Sequence, residues 1–515
     1  MILTLPEEVP PIQRDNEQVF LEEAGAFFEA RRIELETFPL RELQSMWDDK
    51  YYDCILLRYA LYLQRGRPMD ERKTLAVLGR HLTADGRLYV LEHNRLGMRA
   101  LAGDRFDGTG KEAGLVYNEL MTAASYAGLH AGFYFPHPFM EGMDYLFSED
   151  RPPGGEKLAL SLEENTPRLE LFDEGELLEA AAAAGTFPRM ANQLLCVAAK
   201  QEETARLLFC EYPLRRKEWC AVVRSEYRMA DGQIAIVRRA ETEAGTEHVK
   251  QIMTAYMNMD TLYKGYTLQI APCRLEQMRI LSMQPVGKSL EALLDEAIDR
   301  EWKEGFFRWI DQLFDIMTTP VRIAVLDGSA KRQKLFSQDS RFVEWFGELS
   351  PQEDALFDED PVLPYTPVCC RFGDFFIEDR RWLLQEYEWT VTFPVPFSYV
   401  CYHAITSYFE GREDRNFGGT LRSETLKKFG ITKRRERVFA RMLEHFNDFI
   451  KGEAPDPAVL LEQKKRSGTF LPVGEWVNVF NLHHGQLSRE RQQELEEIGG
   501  GFAGSLRSVW NRIFG

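Results

Sequence analysis

The chain has 515 residues, of which 81 are acidic and 63 basic, for a formal net charge of −18. That length sets an expectation of two or three domains, and 44% hydrophobic with 28% charged residues is enough to bury a sizeable core. The acidic excess argues against non-specific nucleic-acid binding, which depends on Lys and Arg neutralising phosphates, and no apolar run reaches the roughly 20 residues of a transmembrane helix.

The opening run "MILTLPEEVPP" lacks the basic and long apolar regions of a signal peptide. The eight cysteines show no CxxC spacing and the nine histidines no metal-ligand spacing, so the thiols are expected to be reduced in a cytoplasmic protein. From residue 31 the chain alternates strand and helix patterns. "RRIELETF" has period two, and "YYDCILLRYA" has the dense apolar centre of a strand covered on both faces. "MDERKTLAVLGRHL" carries Leu75, Leu78 and Leu82 at helical spacing. "DGRLYVLEHNRLG" predicts a strand over Leu88–Glu92 behind an Asp85-Gly86 turn, ending in Glu92, His93, Asn94 and Arg95. "YNELMTAASYAGL" predicts a helix, "HAGFYFPHP" a strand, "FDEGELLEAAAAAG" a helix stopped by Gly185, and "NQLLCVAAK" a strand. Alternating βα units imply an open α/β sheet, in which ligands bind beyond the carboxyl ends of the strands. Asp53 and Glu92 to Asn94 are therefore candidates.

The runs "YYDCILLRYALYL", "LTADGRLYVLEHNRLGMRALAGDRFDGTGK", "FYFPHPFMEGMDYLFSED" and "RLELFDEGELLEAAAAAGTFPRMANQLLCVAA" resemble a class I S-adenosylmethionine-dependent methyltransferase of the bacterial polysaccharide-locus type. The similarity covers about residues 1–200 and implies a Rossmann-like, doubly wound sheet. Tyr52-Asp53 to Leu57 matches the family's fourth strand. Glu92 with Asn94-Arg95-Leu96-Gly97, then Asp107-Gly108-Thr109-Gly110, matches the runs after its fifth. The resemblance implies that S-adenosylmethionine is the cofactor and a glycan or sugar nucleotide the substrate, with other glycan-assembly proteins as partners. The implied cofactor-binding residues are Glu7, Glu8, Asp53, Glu92, Asn94 and Arg95. "MILTLPEEV" is then the second strand, with Glu7 or Glu8 as the ribose carboxylate. The first strand and its glycine-rich turn, where backbone must approach the cofactor closely, are missing ahead of Asp53, as in an N-terminally truncated member. Tyr134, Phe135, His137 and Phe139 are candidate acceptor-pocket or packing residues.

Beyond residue 200, "ARLLFCEYP", "EWCAVVRSEYRMADG" and "QIAIVRRAE" predict three strands, the last two joined by an Asp231-Gly232 hairpin. A helix with Glu247, Val249, Ile252 and Met253 follows. "YTLQIAPCRL" and "MRILSMQPVGKSLEALLDEA" then predict two more strands and a helix. Five strands with one helix after the third resemble the small lobe of a kinase-like phosphotransferase. "EGFFRWIDQLFDIMTTP" and "VCCRFGDFFIEDRRWLLQEYEWTVTFPVPFSYVCYHAI" resemble parts of its large lobe. The expected organisation is therefore α/β followed by α+β. A methyltransferase-like domain spans 1–200. A two-lobed kinase-like domain spans 205–455, with lobes at about 205–287 and 288–455. A helical tail spans 456–515. An acidic loop is expected at "EDALFDEDPVLP".

The kinase-like resemblance assigns roles that this sequence fills differently. Arg238-Arg239 replaces the third-strand lysine, and Glu247 takes the pairing glutamate's place. Cys369 stands for the catalytic aspartate, Asp374 for the asparagine and Glu386 for the metal aspartate. Asp374 and Glu386 are candidate Mg²⁺ ligands, but a thiol does not take over the role of a proton-accepting carboxylate, so a pseudokinase without ATP-Mg chemistry is expected. Two functions stay open: a methyltransferase acting on a glycan precursor in polysaccharide biosynthesis, and a non-catalytic scaffold built from two inactive domains.

Overall fold

The structure, a computed structural model, describes residues 2–3, 36–37, 50–102, 114–154, 156, 158, 168–170, 172–202, 205–213, 215–326, 336–378, 381–410, 420–452 and 470–472. It divides into two units, Met1–Leu214 with Ala454–Gly515, and Arg215–Glu453.

The first unit carries strands β1 (Ile2–Leu3), β2 (Glu36–Thr37), β3 (Tyr52–Arg58), β4 (Leu82–His93), β5 (His130–His137), β6 (Tyr145–Ser148), β7 (Arg168–Glu170), β8 (Gln193–Ala199) and β9 (Arg206–Glu211). All but β7 form a sheet in the order β2-β1-β3-β4-β8-β5-β6-β9. β2, β1, β3 and β4 are parallel. β8 is antiparallel to both β4 and β5, so β5 again points the same way as β4. β7 pairs in parallel with Phe470–Pro472, a strand in the segment expected to be a helical tail. The rest of the expected helical tail lies outside the described residues.

Local chemistry sets the connecting helices. Asp70 caps Glu71–Arg80 by accepting from the Lys73 amide at 3.0 Å, while Leu75 and Leu78 are buried beneath it. Asp173 caps Glu174–Ala183 in the same way, and Gly185 follows its end in the left-handed conformation, φ +68°.

Three differences from expectation are structural. Asp85-Gly86 is no turn but lies inside β4, where the register against β3 shifts between Tyr52 and Cys54. A Cβ on Gly86 would lie 2.7 Å from the Tyr52 carbonyl oxygen, so the glycine serves close backbone approach. Ile2–Leu3, expected to be a second strand, pairs directly with Ile55–Leu56; in a doubly wound order that is the first strand's place beside the fourth. Finally, Arg206–Glu211, expected to open the small lobe, pairs antiparallel with β6 in the first unit.

The second unit carries β10 (Val222–Arg228), β11 (Ile234–Ala240), β12 (Leu268–Ile270), β13 (Cys273–Glu276), β14 (Arg279–Met283), β15 (Lys288–Ser289), β16 (Thr366–Pro367), β17 (Phe375–Glu378), β18 (Arg381–Leu384) and β19 (Thr390–Val391). β13-β14-β11-β10 form an antiparallel array. Gly232, at φ +83°, turns the β10–β11 hairpin as its Asp-Gly signal implies. "YTLQIAPCRL", read as one strand, is two. Pro272 has no amide hydrogen to give to a ladder, and the part before it, β12, pairs with β18 in a second sheet of order β12-β18-β17-β15. Helix Thr246–Leu262 follows β11, with His248, Val249, Ile252, Ala255 and Met259 buried. Lys303–Leu326 runs as one helix through Pro320. Helices Phe397–Phe409 and Lys433–Ile450 complete an aromatic-rich core around Phe346, Trp389, Tyr399 and Phe446. The expected acidic loop is partly helical: Ser350 and Glu353 form a capping box at the start of Pro351–Asp354.

Candidate functional site

Two groups of polar side chains are built by the fold, one in each unit. In the first unit, parallel β3 and β4 end together, and antiparallel β8 begins beside them, with His93 opposite Gln193. This is the carboxyl edge where doubly wound sheets bind ligands. Tyr59 leaves β3 at φ +47°, a strained value for a residue with a Cβ. Its ring stacks on His93 with centroids 4.4 Å apart, and its hydroxyl accepts from Gln193 Nε2 at 2.7 Å. Gln193 Oε1 accepts from the Met140 amide at 2.8 Å, which ties in the segment after β5.

Glu92 is fully buried. Its Oε1 accepts from the Leu61 amide at 2.6 Å and the Tyr62 amide at 3.4 Å, whereas Oε2 has no hydrogen-bond partner. Burial outweighs those amides and pushes its carboxyl up to about 8, so the group is protonated at neutral pH. Burial, with the charges of Arg99 and Arg58, holds the His93 imidazole down to about 3, so it is neutral.

The other sequence-derived candidates do not gather here. Asn94 Nδ2 donates to the carbonyls of Arg189 and Ala191, both at 2.8 Å, and its Oδ1 accepts from the Leu96 amide at 3.1 Å. That is the work of a loop tie. Arg95 pairs with Glu119 at 2.6 Å. Asp53 sits at the opposite, amino end of β3 and accepts from the Thr83 hydroxyl at 2.9 Å, so it does not face the carboxyl-edge group. At about 3.3 Å per residue, the two edges are separated by nearly the whole strand. Tyr134, Phe135, His137 and Phe139 are buried, the last beneath Arg99 at 4.7 Å. Glu7, Glu8 and the Asp107–Gly110 run lie outside the described residues. Of the described cofactor candidates, only Glu92 combines a place at this edge with a free polar atom.

In the second unit, the β17–β18 hairpin brings together Asp374 and Glu386, the two residues expected as Mg²⁺ ligands. Phe375 opposes Leu384, so Asp374 and Glu386 flank the hairpin's open end, and the Gln385 amide donates to the Asp374 carbonyl at 2.9 Å. Arg238, buried on β11, reaches Glu386 Oε2 with Nη2 at 2.6 Å. Its neighbour Arg239 points to the other face of the strand, where Nη1 donates to the Ala240 carbonyl at 3.4 Å. Glu386 Oε1 accepts from the Glu388 amide at 2.9 Å, and Asp374 Oδ2 accepts from the Arg371 amide at 2.6 Å. Burial and the Glu386 charge push Asp374 up to about 7.

Glu247 is not the pairing glutamate. Its side chain is 69% exposed and meets Lys250 at 3.0 Å. One residue on, about 100° round the helix, His248 is the inward group, with Nε2 2.9 Å from Glu388 Oε1. Glu388 also meets Arg216 at 2.5 Å. Burial opposes its ionisation, but Arg216, His248 and Arg238 outweigh burial and hold its carboxyl below the usual range. Burial raises the Cys369 thiol, so no thiolate stands in for a catalytic base.

These residues do not fit Mg²⁺. The ion takes near-octahedral oxygen ligands, yet both oxygens of Glu386 are engaged, one of them by a guanidinium that would repel a dication. Among the described residues no group of three or more His, Cys, Asp or Glu side chains is placed to hold a metal. Sequence reasoning missed Tyr59, Gln193, His248 and Glu388. The burial phase of the helix could have favoured His248 over Glu247, but nothing local marks the other three.

No family model matches the chain, and no curated protein matches it. Among solved structures, it is similar to a SAM-dependent methyltransferase from Archaeoglobus fulgidus, at 13% identity over 39% of this chain and 85% of that one, TM-score 0.24. It is also similar to macrolide 2'-phosphotransferase MphH from Brachybacterium faecium, at 12% identity over 52% and 88%, TM-score 0.25. PKMT2 from Rickettsia typhi in complex with AdoHcy matches at 10% identity over 87% and 88%, TM-score 0.21. Overlap this slight leaves the function to rest on the chain's own residues.

Proposed function

We propose that the chain is a methyltransferase-type protein of polysaccharide assembly, whose first unit takes S-adenosylmethionine at its carboxyl edge and a glycan or sugar nucleotide as acceptor. One observation carries the reading: a parallel β2-β1-β3-β4 order with β8 reversed beside it, closed at the carboxyl edge by the Tyr59, Glu92, His93 and Gln193 group. The cofactor would supply an electrophilic methyl group. Glu92, neutral and with one free oxygen, is the described residue suited to meet it or the acceptor. The glycan acceptor rests on the resemblance of the sequence runs.

A specific observation favours a second reading, the non-catalytic scaffold. Asn94 and Arg95 are consumed by internal contacts, and Glu386 is held by Arg238. Calorimetric titration of the full chain with S-adenosylmethionine separates the two. Saturable binding in the micromolar range, weakened by Tyr59→Ala, supports the methyltransferase. Absence of saturable heat overturns it in favour of the scaffold.

A further inference from the structure

The first unit has a cavity of about 560 Å³ lined by Tyr51, Arg80, His81, Gly128, Leu129 and Lys200, among others. Its walls come from the residues just before β3, β4 and β5 and just after the antiparallel β8. It therefore lies on the amino edge of the sheet, the length of β3 away from the carboxyl-edge group, or about 20 Å. Nothing argued for the methyl donor involves it.

Three features of the lining point to a ligand. Tyr51 is 60% exposed, and its ring lies 5.8 Å from Lys200 Nζ. Arg80 is exposed and, among the described residues, no carboxylate stands within ion-pair distance of it or of Lys200. In a chain with net charge −18, two such cations beside a cavity are a local reversal of sign. The floor is small and apolar, with Ala76, Gly79, Ala127 and Leu129, and Gly128 at φ +68° leaves open space where a Cβ would stand.

Two helices, Glu71–Arg80 and Tyr117–Tyr126, end at the cavity, and helix C-termini repel anions. Here those ends are satisfied. Lys200 Nζ donates to the carbonyls of Arg80, at 3.3 Å, and Leu82. The amides of Ala127, Gly128 and Leu129 close the second helix onto Ala123, Ser125 and Ala124. Among the described residues the Arg80 guanidinium has no carboxylate partner, and the Tyr51 ring, with Lys200 over it, stays 60% exposed.

We infer that this cavity is a second binding site that takes a nucleoside monophosphate, with the base stacked on Tyr51 and the phosphate held by Arg80 and Lys200. A dianion suits two cations, ring stacking is tolerant of base identity, and the volume is that of a small-ligand pocket. Because the site is remote from the carboxyl edge, its occupant takes no part in chemistry there.

Calorimetry on the full chain with AMP tests it, with adenosine and ribose 5-phosphate as probes lacking one half of the ligand. AMP is expected to bind saturably, and each partial probe at least about tenfold more weakly. Tyr51→Ala should weaken AMP about tenfold but leave ribose 5-phosphate unchanged, and Arg80→Ala or Arg80→Gln should bring AMP to the level of adenosine. Both side chains are exposed, and circular dichroism of each variant checks the fold. S-adenosylmethionine should not compete. The inference fails if AMP gives no saturable heat, if it binds both variants as it binds the natural chain, or if S-adenosylmethionine displaces it. The first two outcomes leave S-adenosylmethionine binding at the carboxyl edge untouched, whereas displacement would place its binding at the amino-edge cavity.

Discussion

Glu92 shows how one buried side chain links sequence, stability and site. A buried carboxyl with a single accepting oxygen in use favours its neutral form. The folded state therefore holds a proton that the unfolded chain gives up near pH 4.5. Above that pH the unfolded state binds fewer protons, so stability falls as pH rises, until the folded group itself ionises near about 8. The slope approaches about 1.4 kcal/mol per pH unit within that window. Glu92→Gln keeps an oxygen for the Leu61 amide and removes the titration. Urea midpoints of the two proteins should be close at pH 4.5, and the Gln variant should become progressively more stable towards pH 8. Parallel pH profiles would show that Glu92 ionises normally and that water reaches it. Gly114 adds a second local constraint beside the same strand end. It stands at φ +93°, and a Cβ there would meet the His93 carbonyl oxygen at 2.1 Å.

At the level of elements, the strongest sequence signals were the local ones. Asp70 and Asp173 mark helix starts by side-chain capping, and Asp231-Gly232 marks a hairpin, because each acts on backbone within three residues of itself. Asp85-Gly86 carries the same dipeptide yet lies inside β4, since close approach to the Tyr52 carbonyl at a register shift, over thirty residues away, decides its use. The split at Pro272 and the attachment of Arg206–Glu211 to β6 were likewise hidden, because the partner strand and not the segment sets where a strand goes. The candidate site follows the same rule. Glu92 was visible as a polar residue at a strand end, whereas the Arg238–Glu386 pair joins residues 148 apart. That pair ties β11 to the segment after β18. Arg238→Met removes the buried cation, strands Glu386 beside Asp374, and should cost about 2–4 kcal/mol in urea unfolding. The double variant Arg238→Met with Glu386→Gln should recover part of that loss, and Arg239→Met, on the opposite strand face, should change stability by less than about 0.5 kcal/mol. Full additivity of the two changes would mean that the pair holds nothing together.

At the scale of the whole molecule, one chain carries two compact units, and electrostatics limits what the second can do. Phosphoryl transfer is almost wholly positioning and charge stabilisation around metal-bound phosphates. The second unit places the Arg238 guanidinium against Glu386, an Asp374 carboxyl pushed up to about 7 beside it, and an uncharged Cys369 thiol, at the positions that the kinase-like resemblance would give to metal ligands and base. To admit Mg²⁺, Glu386 must release Arg238, which would leave a buried cation unpaired next to a dication, and that cost grows as the interior excludes water. Any ligand that binds only the folded state stabilises it by RT ln(1 + [L]/Kd), about 2.7 kcal/mol at a hundredfold excess over Kd. Millimolar Mg-ATP would therefore raise the unfolding midpoint visibly if the unit bound it even at tens of micromolar. Thermal unfolding of the full chain should show no shift with Mg-ATP beyond that given by magnesium chloride with AMP, the control that accounts for the amino-edge cavity. In Arg238→Lys the shorter, compact ammonium loosens its grip on Glu386, and a gain of Mg-ATP stabilisation there would identify the guanidinium as the group that closes the site. A shift in the natural chain would instead show that Arg238 yields to the metal, and phosphoryl transfer would return as an activity of this protein.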